Sequence, residues 1–78
     1  MSEPQHTARS IHLDARRLSP PEPFIRTLEL LSGLKSGERL HVLLSREPYP
    51  LYQFLQENGI LWESSALPNG EFEIIIQS

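Results

Sequence analysis

Leu13-Asp14-Ala15-Arg16-Arg17-Leu18-Ser19-Pro20-Pro21-Glu22-Pro23 is the stretch on which the architecture of this 78-residue chain turns. Ahead of it, Ser10 to Asp14 alternate in polarity, with Ile11 and Leu13 on one face and His12 on the other, so a short strand runs into the stretch. Inside it, Ser19-Pro20-Pro21-Glu22 signals a helix start. Ser19 is the expected N-cap, and proline is tolerated in a first turn because the N–H it lacks would have no partner there. Glu22 complements the positive end of the helix dipole. Beyond it, Phe24, Ile25, Leu28, Leu31 and Leu34 recur at helical spacing as one apolar stripe, with Arg26, Thr27, Glu29 and Ser32 outside it. Gly33 and Lys35-Ser36-Gly37 then end the helix and turn the chain.

The same alternation returns downstream. Arg39 to Leu44 reads as a second strand, with Leu40, Val42 and Leu44 on one face and Arg39, His41 and Leu43 on the other. Ser45-Arg46-Glu47-Pro48-Tyr49-Pro50 is a second proline-bearing loop. A short helix follows, with Pro50 at its start, Leu51, Phe54 and Leu55 as its stripe, and Asn58-Gly59 as its stop. Ile60 to Ala66 reads as a third strand, with Ile60 and Trp62 on one face. Asn69-Gly70 is a strong hairpin signal, and Phe72 to Gln77 form the last strand.

Strand, helix, strand, helix, strand, strand predicts an α+β fold: a two-layer α/β sandwich. Its four-stranded mixed sheet takes the order 1-2-4-3. Both crossovers must be right-handed, which places the two helices on one face if they move the same way across the sheet. Residues 1–9 are polar and aperiodic and read as a mobile tail; residues 10–78 form the domain. Leu13, Leu28, Leu31, Val42, Phe54, Trp62 and Ile74 are the expected core. A core of this size supplies roughly 3–5 kcal/mol.

Composition narrows the function classes. A hydrophobic content of 38% and a charged content of 22% suit a globular domain. A net charge of −3 disfavours nucleic acid as a partner, which needs a basic face. No apolar run is long enough for a membrane span, and the first residues lack the regions of a secretory signal. With no cysteine, the chain has neither a disulfide nor a thiolate. These readings together suggest a cytoplasmic protein, monomeric or weakly dimeric, with no cofactor called for.

The quoted stretch resembles the signature of the TusA/SirA-like sulfur-carrier proteins, Leu-Asp-Ala-x-x-Leu-x-Cys-Pro-x-Pro. In that family the cysteine opens the first helix and carries a persulfide. Pro20 stands at its position here. Ser45-Arg46-Glu47-Pro48-Tyr49-Pro50-Leu51 is similar to a second signature, Asp-His-Asp-Pro-x-Pro-Leu, of a cysteine-free branch of the superfamily that is a domain of unknown function. Pro48, Pro50 and Leu51 match, and only the acidic Glu47 survives from Asp-His-Asp. The Arg-His pair that many branch members carry after the first helix start is Glu22-Pro23 here, so no histidine role carries over. The resemblance implies the two-layer sandwich over residues 10–77. It also links the branch with hemerythrin-like domains and nitrogen-oxide enzymes.

Two surfaces are candidates for function. Both proline loops leave the carboxyl ends of neighbouring parallel strands, where open α/β sheets bind ligands. Arg16, Arg17, Pro20, Pro21, Glu22 and Pro23 of the first loop and Arg46, Glu47, Pro48 and Tyr49 of the second are therefore the expected binding residues. The arginines suit an anion or a partner's carboxylate, whereas Glu22 would repel one; the bland alternative is a rigid helix start. The second surface is the sheet face away from the helices, with His12, His41, Leu43, Leu61, Glu73 and Ile75. Apolar residues there suit self-association, and His12, His41 and Glu73 are a conceivable metal trio, set against ordinary solvated side chains. Tyr49, Tyr52 and Trp62 more often complete a small core than line a site. Glu71 and Glu73 read as strand-surface residues, and no nucleophile has a motif context.

The leading expectation is a non-catalytic protein-interaction or regulatory module on a sulfur-carrier fold. The alternatives are an accessory protein in sulfur transfer or in redox or nitrogen-oxide metabolism, and a sensor of a small ligand or metal.

Overall fold

In a computed structural model, residues 9–78 of the chain are described. The elements are β1 (Ser10–Asp14), α1 (Glu22–Ser32), β2 (Arg39–Leu44), α2 (Tyr49–Glu57), β3 (Trp62–Ala66) and β4 (Phe72–Gln77). β1 and β2 are parallel, with His12 opposite His41 and Leu13 opposite Val42. β4 is antiparallel to both β2 and β3 and lies between them, so the sheet order is the expected β1-β2-β4-β3.

Alternation decides which face is covered. Leu40, Val42 and Leu44 of β2 and Ile74 and Ile76 of β4 are buried on one side of the sheet. Ala15, Leu51 and Leu55 complete that cluster, and Phe24, Leu31 and Leu34 pack against it from the α1 side. Both helices thus seal a single face, and the other carries the half-buried His41, Leu43, Glu73 and Ile75. The hairpin between β3 and β4 closes through hydrogen bonds from the Leu67 N–H to the Glu71 carbonyl and from the Gly70 N–H to the Leu67 carbonyl. Gly70 takes a φ of +85°, which a side chain would resist.

Helix α1 presents a different face from the one expected. Its buried residue is Thr27, 1% exposed, and the Thr27 hydroxyl donates to the Pro23 carbonyl at 2.7 Å. A hydroxyl satisfied on its own helix can be buried against a sheet without leaving an unpaired polar group. The stripe therefore runs through Phe24, Thr27, Leu30, Leu31 and Leu34. Leu28 is half-buried, while Ile25 is 47% exposed. Leu30 and Leu31 flank Thr27 and pack against the core, while Leu28 sits beyond Leu31 at the edge of that face, so hydrophobicity alone could not rank the three. Of the expected core, Val42 and Ile74 are buried; Leu13, Leu31, Phe54 and Trp62 are half-buried against the cluster.

The helix starts also differ in detail. The N-cap of α1 is Pro21, with no side-chain cap, so Ser19 is not the cap. Instead the Ser19 carbonyl accepts the Glu22 N–H at 2.8 Å. Pro21 and Pro23 have no N–H, which leaves little at this end for a serine hydroxyl to satisfy. β3 begins at Trp62 rather than Ile60, because the Ile60 N–H closes the end of α2 by donating to the Leu55 carbonyl. The expected tail lies outside the described residues except for Arg9, whose carbonyl accepts the Arg39 N–H at 2.9 Å.

Candidate functional site

β1 and β2 run side by side in the same direction and release their loops at the same edge. The Ala15 N–H still bonds the Leu43 carbonyl at 2.9 Å, which holds the two loops together as they diverge. Each loop then returns over the sheet into a helix whose first turn contains proline. Between them lies a cavity of about 610 Å³. Its floor includes the buried Ala15, Leu44 and Leu51, with Leu18 and Phe24 alongside. Pro20, Pro21, Pro23, Pro48 and Pro50 line its walls, and Arg16, Arg17, Ser19, Ser45, Arg46 and Glu47 complete the lining.

Eight of the ten sequence-predicted residues thus border one cavity: Arg16, Arg17, Pro20, Pro21, Pro23, Arg46, Glu47 and Pro48. Glu22 and Tyr49 do not line it. Both are exposed at the beginning of their helices. Sequence reasoning missed the apolar floor, whose residues read as ordinary core positions. It also missed the groups that fix the charged side chains.

Those groups decide which charges are available. Arg16 is held by Asp14, which accepts from Nε at 2.9 Å and from Nη2 at 2.8 Å. Glu71, 55 positions away, accepts from its Nη1 at 3.3 Å. The hydrogen bond from Arg16 lowers the Asp14 carboxyl to about 2, and Asp14 in turn raises Arg16. Glu71 is itself oriented by Asn69, so the hairpin turn props the corner. Glu47 is occupied as well: the Tyr49 hydroxyl donates to one carboxylate oxygen at 2.8 Å and the Tyr52 hydroxyl to the other at 3.3 Å. That hydrogen bond raises the Tyr49 phenol, whereas burial is the main cause of the rise at Tyr52. Tyr52 stacks on Trp62 with ring centroids 5.7 Å apart, which anchors the arrangement to β3. Among the described residues, Arg17 and Arg46 form no ion pair.

The other candidate surface is built differently. His12 and His41 stack with ring centroids 4.6 Å apart. His41 Nδ1 lies 3.4 Å from Glu73 Oε2. Among the described residues, no group of three potential ligands is placed to hold a metal, so His12, His41 and Glu73 do not converge as a trio. Leu61 precedes β3 and is 70% exposed. No helix among the described residues is long and apolar enough to cross a membrane.

Comparison with known proteins agrees with this architecture. The family whose sequence profile matches residues 12–78 is described as an uncharacterized conserved protein family, DUF2249. The chain is also similar to the crystal structure of a SirA-like protein from Desulfitobacterium hafniense, at 28% identity and a TM-score of 0.75. The match covers 85% of this chain and 93% of that one. No curated protein matches it.

Proposed function

From the premise that the chain belongs to the DUF2249 family, on a SirA-like fold, we propose that it is a non-catalytic interaction or regulatory module that works through occupancy of the proline-lined corner. The observation that carries this reading is the content of the corner itself. Where the sulfur-carrier signature has its nucleophile, this chain has Pro20, which lines the cavity and offers neither a thiol nor a backbone donor. A persulfide requires a thiolate, and the chain has no cysteine. What remains is a concave apolar surface with a charged rim, within the roughly 300–1,000 Å³ range of binding pockets. Proline stiffens both loops, which reduces the entropy lost when an occupant is held.

Two measurements test the reading. Incubation with a cysteine desulfurase and cysteine should leave the mass of the intact chain unchanged; a gain of one sulfur atom would overturn the non-catalytic assignment. A partner captured from native extract should then be titrated into the labelled chain. Shifts should gather on Arg17, Leu18, Arg46 and Leu51. If they gather on His12, His41, Leu43 and Ile75 while the corner stays silent, the corner is the wrong surface.

A further inference from the structure

We infer that the corner takes a small molecule with an apolar body and a single carboxylate, its body on the floor of the cavity and its head between Arg17 and Arg46. This rests on the reading of the corner as a binding site and specifies its ligand.

The volume and the lining set the body. A space of about 610 Å³ floored by Ala15, Leu44 and Leu51 is too large for one side chain and has the size and apolar character of a small-molecule site. The charge sets the head. The protein as a whole is acidic, with a net charge of −3, yet the cavity is bordered by three arginines and one carboxylate. Arg16 is neutralised by Asp14 and Glu71, Glu22 lies outside the lining, and Glu47 keeps its charge while its oxygens accept two tyrosine hydroxyls. Among the described residues Arg17 and Arg46 form no ion pair, so two cations face one carboxylate at the rim.

Backbone chemistry points the same way. A helix start usually offers an anion its free N–H groups. Here Pro20, Pro21, Pro23, Pro48 and Pro50 remove five of the N–H groups around the cavity, so recognition of a negative head falls to side chains. Guanidinium groups meet a carboxylate through paired, charge-assisted hydrogen bonds. A ligand with several charges would have to bury the excess on the apolar floor, which favours one head.

The test is a titration of the full-length labelled chain with octanoate below its micelle-forming concentration, with octanol and octylamine as neutral and cationic counterparts. Octanoate should shift Ala15, Leu18, Leu44 and Leu51, with affinity falling as salt is raised. Octanol and octylamine should bind roughly tenfold or more weakly. The Arg17→Gln/Arg46→Gln double variant should lose a similar factor for octanoate while its thermal midpoint stays that of the parent. Arg26→Gln, on the outer side of α1, should bind like the parent. Equal binding of octanol and octanoate, or an unchanged double variant, would overturn the anionic head and leave the corner standing as an apolar site. Shifts on the open sheet face, or no shifts with any of the three, would overturn the small-molecule ligand; the partner titration above then judges the corner separately.

Discussion

The corner and the open sheet face both set ionisable side chains beside apolar ones, yet one is chemically finished and the other is not. On the open face each polar ring has a companion: His12 stacks on His41, and His41 meets Glu73. At the corner the pairing stops partway. Asp14 and Glu71 hold Arg16, and Tyr49 and Tyr52 hold Glu47, but Arg17 and Arg46 stand unpaired among the described residues beside a concave apolar floor. The lesson is that charge counted from sequence is not charge on offer. What an occupant can use is what the protein's own carboxylates have not already taken.

The largest effect that would sharpen this contrast is in packing. Leu51 is 2% exposed under the corner, and Leu51→Ala should cost about 2–5 kcal/mol. Leu43→Ala, on the half-buried open face, should cost about 1 kcal/mol. Urea denaturation measures both; equal losses would mean that the corner is not the better packed of the two.

Electrostatic variants should invert that order of importance. Glu73→Ala removes the companion of His41 and should cost about 0.2–1 kcal/mol, as partly exposed pairs do. Arg17→Ala should change stability by no more than about 0.5 kcal/mol. A greater loss at Arg17 than at Glu73 would show that the arginine has a structural partner and break the comparison.

Phenol titration reads the corner's internal pairing. Glu47→Gln should bring the Tyr49 phenol back toward the usual value near 10, because the carboxylate is the main cause of its rise. Tyr52 should remain raised, because burial is its main cause. Ultraviolet titration of each tyrosine, the other replaced by phenylalanine, separates the two; a parallel fall would show that one carboxylate governs both.

The smallest effect is at the acid end. The folded Asp14 carboxyl, at about 2, lies below its free value of 3.8. Its contribution to stability is therefore present above 3.8 and is lost as pH falls toward about 2. Carboxyl NMR should place Asp14 near 2 in the parent and closer to 3.8 in Arg16→Gln. No movement would mean that Arg16 does not hold it.

Much of this architecture is legible in the order of residues, because periodicity is local. Alternation in Arg39 to Leu44 and Phe72 to Gln77 marks the strands, and Asn69-Gly70 marks the hairpin. The rule for strands of like direction brings both proline loops to one edge, and with them most of the corner. The face of α1 is not legible in the same way: Thr27 and Leu28 are neighbours on the helix, and their burial depends on which side meets the sheet. Nor is the state of each charge. Arg16 and Glu71 meet across 55 positions, and Glu47 is shared by two tyrosines whose placement depends on packing against Trp62. Local patterns carry the elements, while side chains distant in sequence settle which charges at the corner remain unspent, since only folding brings them within hydrogen-bonding range.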